Sequence, residues 1–284
     1  MKILVTGGAG FIGSHLVDRL VTEHEVVVLD NLSVGKSERL NSKAKLIKGS
    51  VTDEKAVERA MSGCDVVFHL AAQTDIKKSS EDPKHTYLVN VVGSKNVFRI
   101  AEAKGAKVIF VSSAAVYGPK APACEDDEPQ PMSEYGRSKL EAEKLCPKGA
   151  FVARFFNVVG PRGRGVVYAF CEAIRTGSGV VISGSGKQTR DFVYVSDVIE
   201  ALLLGLRYSG IYNVGTGKET SVLDALRIVE DVAGKKANVK FVAAISGELA
   251  RSVADIRKIS RLGWKARYTS EEAVREAARV LLRT

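Results

Sequence analysis

The sequence predicts an α/β fold: a doubly wound parallel sheet with helices on both faces, accompanied by a smaller mixed α/β domain. Three observations carry this. Short β-branched runs alternate with helical patterns through the first half of the chain, and the connections between them are short. The runs are apolar throughout rather than alternating, as expected of strands covered on both faces.

Taken in order, the chain opens with a strand at Lys2–Thr6 and a helix over 11–21, then a strand at Glu25–Asp30. A strand at 45–47, a helix over 53–61 and a strand at 66–70 follow. A long helix over 85–104 and strands at 107–112 and 151–154 complete the run. Such alternation gives right-handed βαβ units. After about Asn157 the rhythm breaks, with glycines clustered at 160–165, 177–179 and 184–186. A helix over 196–206 and a strand at 211–214 read as a return to the sheet. The segments 220–233, 254–262 and 270–282 read as helices around short strands. The division is therefore 1–156, with 190–215 returning to it, and a smaller domain from 157–189 and 216–284. The smaller domain is expected over the carboxyl ends of the strands, where open α/β sheets bind ligands.

Composition narrows the function. Of 284 residues, 45 % are hydrophobic and 26 % charged, the balance of a soluble globular protein. No apolar run approaches the roughly 18–20 residues of a membrane span. A core strand at the first residues leaves no room for a signal peptide, so a cytoplasmic protein is expected. Cys64, Cys124, Cys146 and Cys171 have no metal-ligand spacing, nor do His15, His24, His69 and His85, so no metal is expected. The net charge of +9 comes from Lys and Arg interleaved with acids, without a basic tail. That pattern argues against nucleic acid and suits a small anionic ligand.

The first strand runs into Gly7-Gly8-Ala9-Gly10-Phe11-Ile12-Gly13 and straight on into a helix. Glycines at 7, 10 and 13 permit a tight turn and let backbone approach a pyrophosphate, while the helix N-terminus supplies unpaired N–H donors. This is the dinucleotide-binding turn of a Rossmann-type sheet. Asp30, ending the second strand, is placed to accept from the adenosine ribose and to repel a 2′-phosphate, favouring NAD over NADP.

A second constellation is Tyr135 and Lys139, with Ser113 placed 22 residues before Tyr135 at a strand end. Tyr135 and Lys139, four apart on a helix, share one face. A tyrosine of pKa about 10 serves as a base near neutrality only with about 4 kcal/mol of phenolate stabilisation. The Lys139 ammonium and a positive nicotinamide ring are expected to supply it, with Ser113 bonding the reacting hydroxyl.

These motifs, with Asp30-Asn31-Leu32-Ser33, His69-Leu70-Ala71-Ala72, Ser112-Ser113-Ala114-Ala115-Val116-Tyr117-Gly118, Arg154-Phe155-Phe156-Asn157 and Arg190-Asp191-Phe192-Val193-Tyr194-Val195, resemble the extended short-chain dehydrogenase/reductase family over essentially the full chain. Within that family the sequence is most similar to nucleotide-sugar 4-epimerases. The resemblance implies NAD contacts from Phe11, Ile12, Asn31, Ser33, Gly35, Ser50, Val51, Leu70, Ala71, Ala72, Asn90, Val111 and Phe155, besides the residues above. It implies substrate contacts from Ser113, Tyr135, Asn157, Val166, Val181, Arg190 and Ser252. Asn157 and Arg190 would hold the diphosphate of a UDP-hexose, UDP-galactose or UDP-glucose first. Dehydratases and decarboxylating relatives typically carry an acid where this chain has Ala114 and Ala115, so the resemblance favours epimerisation. An NADPH reductase is opposed by Asp30, and a silent NAD-binding protein by the presence of Ser113, Tyr135 and Lys139 together. Relatives commonly dimerise through two long helices, here 85–104 and the one starting near Glu134, so a homodimer is expected.

Four departures stand out. Ser50 replaces an acid near the adenine, and the helix after Lys139 runs only to about Cys146, roughly two turns short. A second diphosphate-binding arginine is missing around 244–248, for which Arg251 is the expected substitute. Ser252 falls where some relatives place a bulky tyrosine beside the sugar.

Overall fold

The computed structural model of the chain describes residues 1–244 and 249–283. Strands β1 (Lys2–Thr6), β2 (Glu25–Asp30), β3 (Lys45–Lys48), β4 (Val66–His69), β5 (Lys107–Ser113) and β6 (Phe151–Phe155) form a seven-stranded sheet with Gly210–Val214. From one edge the order is β3, β2, β1, β4, β5, β6 and Gly210–Val214. The pairs β1–β2, β2–β3, β1–β4 and β4–β5 are parallel. The order reverses between β1 and β4, which makes their carboxyl ends the topological switch point of a Rossmann-type sheet.

Both faces are covered. On one, Val57 and Ala60 of helix α2 (Glu54–Ala60) and Val97 and Ala101 of a later helix, Gly93–Ala103, bury Leu4, Val27, Val67 and Phe110. On the other lies helix α1 (Phe11–Leu20), with Leu16, Val17 and Leu20 buried. Strands sandwiched in this way have no solvent face, which explains their unbroken apolar runs.

The helix expected over 85–104 is continuous from Pro83 to Ala103, with a π turn inside it. Ile76–Glu81 forms α3, Pro83–Tyr87 forms α4 and Gly93–Ala103 forms α5, with a π turn at Leu88–Val92 between the last two. A π turn admits an extra residue and re-aims the side chains around it, a feature that apolar periodicity does not reveal. The expected helix over 254–262 contracts to Arg257–Ser260.

The chain divides into two compact units. Met1–Gly118, Pro129–Arg154 and Ala201–Tyr212 form the first; Pro119–Glu128, Phe155–Glu200 and Asn213–Thr284 the second. The loop Pro119–Glu128, assigned from sequence to the first domain, is thus part of the second unit. Ala123 N–H donates to Val253 O at 2.9 Å, Asp255 N–H to Ala123 O at 2.8 Å, and Asn213 N–H to the Glu125 carboxylate at 2.7 Å. The second unit has its own core, in which Phe170 and Ile174 of the helix Val166–Thr176 pack with Leu226 and Val229 of Val222–Ala233 and Val274 and Ala277 of Ser270–Leu281.

Candidate active site

The glycine turn is built as its spacing requires. Gly7 has φ +70°, and a Cβ there would lie 2.8 Å from Ala71 N. A Cβ on Gly13 would lie 2.2 Å from Gly7 O, so α1 passes too close for any side chain. Gly10 is the N-cap of α1 and leaves the first N–H groups, including those of Phe11 and Ile12, without a side-chain acceptor. Asp30 is 8 % exposed and accepts from Ala9 N–H at 3.0 Å and Leu32 N–H at 2.8 Å. Two donors do not exhaust a carboxylate's lone pairs, so Asp30 keeps capacity for ribose hydroxyls. Beside it, Asn31 accepts from the Ser33 N–H and hydroxyl, and Gly35 packs against Ala9. Ser50 bonds Thr52, and Val51 lies buried under Gly93.

Leu70, Ala71 and Ala72 leave the end of β4. Leu70 N–H donates to Thr6 O at 3.1 Å, and Ala71 N–H to Thr6 Oγ1 at 3.3 Å. His69 lies below them, fully buried, with Nδ1 2.7 Å from Thr6 Oγ1 and Nε2 2.9 Å from Ser94 Oγ. Burial first, and Lys139 second, push its pKa down to about 3, so the ring is neutral. The Ser94 hydroxyl donates to Asn90 O at 2.5 Å and must therefore accept from His69 Nε2–H. Nδ1 then accepts from Thr6, which fixes the tautomer. Asn90, in the π turn, accepts from Gln73 N–H at 2.7 Å and donates to Gln73 O and Ser138 Oγ, both at 2.9 Å. It ties the chain after β4 to the helix α6 (Glu134–Lys144).

Tyr135 and Lys139 lie on α6, whose N-cap Ser133 accepts from Gly136 N–H at 3.0 Å. A Cβ on Gly136 would sit 2.5 Å from Ala115 O, so this glycine lets α6 press on the turn that follows Ser113. Val111 and Ser113 come from the end of β5. Ser113 accepts from Ala115 N–H at 3.2 Å and hydrogen-bonds the Tyr135 hydroxyl. Burial raises the Tyr135 pKa, and the Ser113 bond opposes it. The Ser113 hydroxyl thus adds to the stabilisation expected of Lys139 and the nicotinamide. Lys139 is 3 % exposed, its Nζ 4.3 Å from the Phe110 ring centroid, and burial draws its pKa down to about 8.

The second unit gathers another group. The Arg190 guanidinium donates through Nη1 to Thr189 O and Leu249 O, both at 2.8 Å. Asn157 pairs with Phe192 on the adjacent strand, its N–H donating to Asp191 O at 3.0 Å. Ser252, 9 % exposed, brackets the same segment, donating N–H to Thr189 O and accepting from Asp191 N–H. Asp191 was missed from the sequence: its buried carboxylate accepts from Thr216 N–H and hydroxyl, Gly217 N–H and Ala254 N–H. It locks the backbone next to Arg190. Val166 opens the helix Val166–Thr176, Val181 is 64 % exposed on Val180–Ser183, and Phe155 is buried at the end of β6. Arg251, the expected substitute cation, is gripped by Glu219, with Nη2 2.7 Å from Oε1. Of the segment 244–248, residues 245–248 lie outside the described residues. Among the described residues no cluster suits a metal, and no helix is long and apolar enough to cross a membrane.

A glycine turn at the switch point, a buried acid ending β2 and a Ser–Tyr–Lys set on one sheet end suit a dinucleotide-dependent enzyme of hydroxyl–carbonyl chemistry. The chain belongs to the NAD dependent epimerase/dehydratase family, whose model matches residues 3–215. NAD is its cofactor, and the turn, Asp30 and uncapped α1 fit that group. A UDP-glucose 4-epimerase of Mycolicibacterium smegmatis is 36 % identical over 301 residues, covering 96 % of each chain. The solved UDP-glucose 4-epimerase of Thermus thermophilus in complex with NAD matches with a TM-score of 0.93 and 35 % identity, over 99 % of each chain. The UDP-N-acetylglucosamine 4-epimerase of Methanobrevibacter ruminantium in complex with UDP-N-acetylmuramic acid gives 0.93 and 33 %, over 100 % of this chain and 99 % of that one.

Proposed function

We propose that the chain epimerises C4 of a UDP-hexose, UDP-galactose and UDP-glucose first, through a 4-keto sugar. NAD, when bound, would supply the acceptor and donor for the C4 hydride. Tyr135 takes the C4 hydroxyl proton, Ser113 holds that hydroxyl, and Lys139 supplies positive charge beside them. The observation that carries the choice is the turn Ala114–Val116 directly after Ser113. It presents methyl groups where a dehydratase or decarboxylase needs an acid, so no side chain there moves a second proton. The keto sugar then regains its hydride, and return to the opposite face inverts C4. The M. smegmatis and T. thermophilus relatives support the glucose/galactose pair.

In this reading the first unit holds NAD and the second the nucleotide sugar, with Asn157 and Arg190 on the diphosphate and Val166 and Val181 as further contacts. Ser252, small where some relatives place tyrosine, would leave room for an N-acetyl group, a reading the M. ruminantium relative supports. The four free cysteines suit a cytoplasmic setting. The homodimer belongs to the same proposal, as does a role in galactose metabolism.

The test incubates purified protein with UDP-galactose or UDP-N-acetylgalactosamine, without added NADH, and separates products by chromatography. UDP-glucose and UDP-N-acetylglucosamine are expected. A dehydrated or decarboxylated product, or no conversion of either sugar, would refute the proposal.

A further inference from the structure

Glu143 has no part in the chemistry assigned so far, yet it is built into the site. It stands four residues after Lys139 on α6, so Tyr135, Lys139 and Glu143 recur at every fourth position along one stripe of the helix. Its side chain is 5 % exposed, and that of its partner Arg154, on β6, is 4 %. Arg154 grips both carboxylate oxygens: Nε lies 3.0 Å from Oε1 and 3.3 Å from Oε2, and Nη2 lies 2.6 Å from Oε2. Ser112, the neighbour of Ser113 on β5, donates its hydroxyl to Oε1. The Arg154 guanidinium also lies 4.7 Å from the Tyr117 ring centroid, just past the turn that follows Ser113.

A buried ion pair of this kind is a weak stabiliser, because desolvation consumes much of its attraction. Its electrostatic effect falls on Lys139. Glu143 on the same helix and Cys146, two residues past its end, act on that ammonium; His69 of β4 is acted on by it, Tyr135 lies one turn away, and the Arg154 guanidinium is bonded to Glu143. The Cys146 thiol is pushed up to about 12, chiefly by burial, and His69 down to about 3, so both are neutral near pH 7. Glu143 is left as the carboxylate that opposes the desolvation of Lys139. Arg154 and Ser112 fix its orientation.

We propose that Glu143, clamped by Arg154 and Ser112, is a positioning residue that keeps Lys139 in its ammonium form at working pH. The catalytic meaning of this rests on the reading of Ser113, Tyr135 and Lys139 given above. Glu143→Gln keeps the shape and removes the charge. Lys139 should then lose its proton at lower pH, so the alkaline limb of kcat for UDP-galactose should move down by about one pH unit. KM should stay nearly constant. Glu143→Asp, which keeps the charge but draws it back by one methylene, should move the limb in the same direction by less. It also carries the test if the glutamine variant does not fold. A direct readout is the titration of the Lys139 side chain by NMR in the NAD-loaded protein with ¹³C-labelled lysine. Its midpoint should fall in the order unmutated, Asp, Gln. Superimposable titrations in folded variants would overturn the proposal, since a merely structural clamp lowers melting temperature without moving a lysine titration. A fully active Lys139→Ala would instead sink the catalytic reading, which the lysine titration does not depend on.

Discussion

In the proposed reaction Tyr135 is the residue on which the chemistry turns, and burial and Ser113 set its phenol in opposite directions. Burial raises its phenol and the Ser113 hydroxyl lowers it. A base with this balance is weak until further positive charge arrives, which ties its action to NAD. Removing its hydroxyl should therefore cost the chemistry and spare binding. Tyr135→Phe is expected to lower kcat by about 10²-fold or more, the scale of a lost general acid/base, with the Kd for UDP-glucose little changed. Single-turnover kinetics beside calorimetry checks both, and near-normal turnover would remove Tyr135 from its role. The placement of Gly7, Gly13, Asp30, Tyr135 and Lys139 was legible in the sequence because it follows from local spacing. Asp191, His69 and the pairing of Glu143 with Arg154 were not. Each takes its meaning from partners that the fold brings in from elsewhere, as Asp191 does from Thr216 and Ala254.

At the scale of the element, strands were easier to read than helices. β1 and β2 have the expected ends because apolar runs buried on both faces stop where polar turns begin. The helix expected over 85–104 is present, and only the π turn inside it escaped the sequence, because such a turn keeps the apolar face continuous while adding a residue. That turn carries Asn90, so the irregularity lies at the site itself. α6 ends at Lys144 with Leu145 as its cap, in agreement with the short helix expected before Pro147. Exposed Ile76, Tyr87 and Leu88 on the neighbouring helical segment give apolar surface that a second copy can cover. A homodimer with a small interface is therefore expected. α6 has only 11 residues, and two further turns would add about 10 Å of packing length. Light scattering after size exclusion should show a dimer that dissociates on dilution. A monomer mass even at high protein concentration would count against it.

At the scale of the whole molecule, each unit has an apolar core of its own among the described residues, which makes ligand-linked stability a way to assign function to each. NAD that binds the native state at 100 times its Kd adds about 2.7 kcal/mol. For a folding unit of roughly 150–250 residues, each kcal/mol raises Tm by about 2–4 °C. NAD should therefore raise the melting temperature by roughly 5–10 °C, and by less if the purified protein already carries it. NADP at the same concentration should raise it less, because its 2′-phosphate meets the carboxylate that holds Ala9 and Leu32 N–H. If the units melt in separate transitions, only that of the unit containing β1 to β5 should respond to NAD. Asp30→Ala should shrink the NAD shift and bring the two cofactors together, since one change removes both the ribose acceptor and the repulsion. Calorimetry on protein stripped of nucleotide reads all of these without a substrate. An NADP shift equal to or larger than that of NAD in the unmutated protein would mean that Asp30 does not face the ribose.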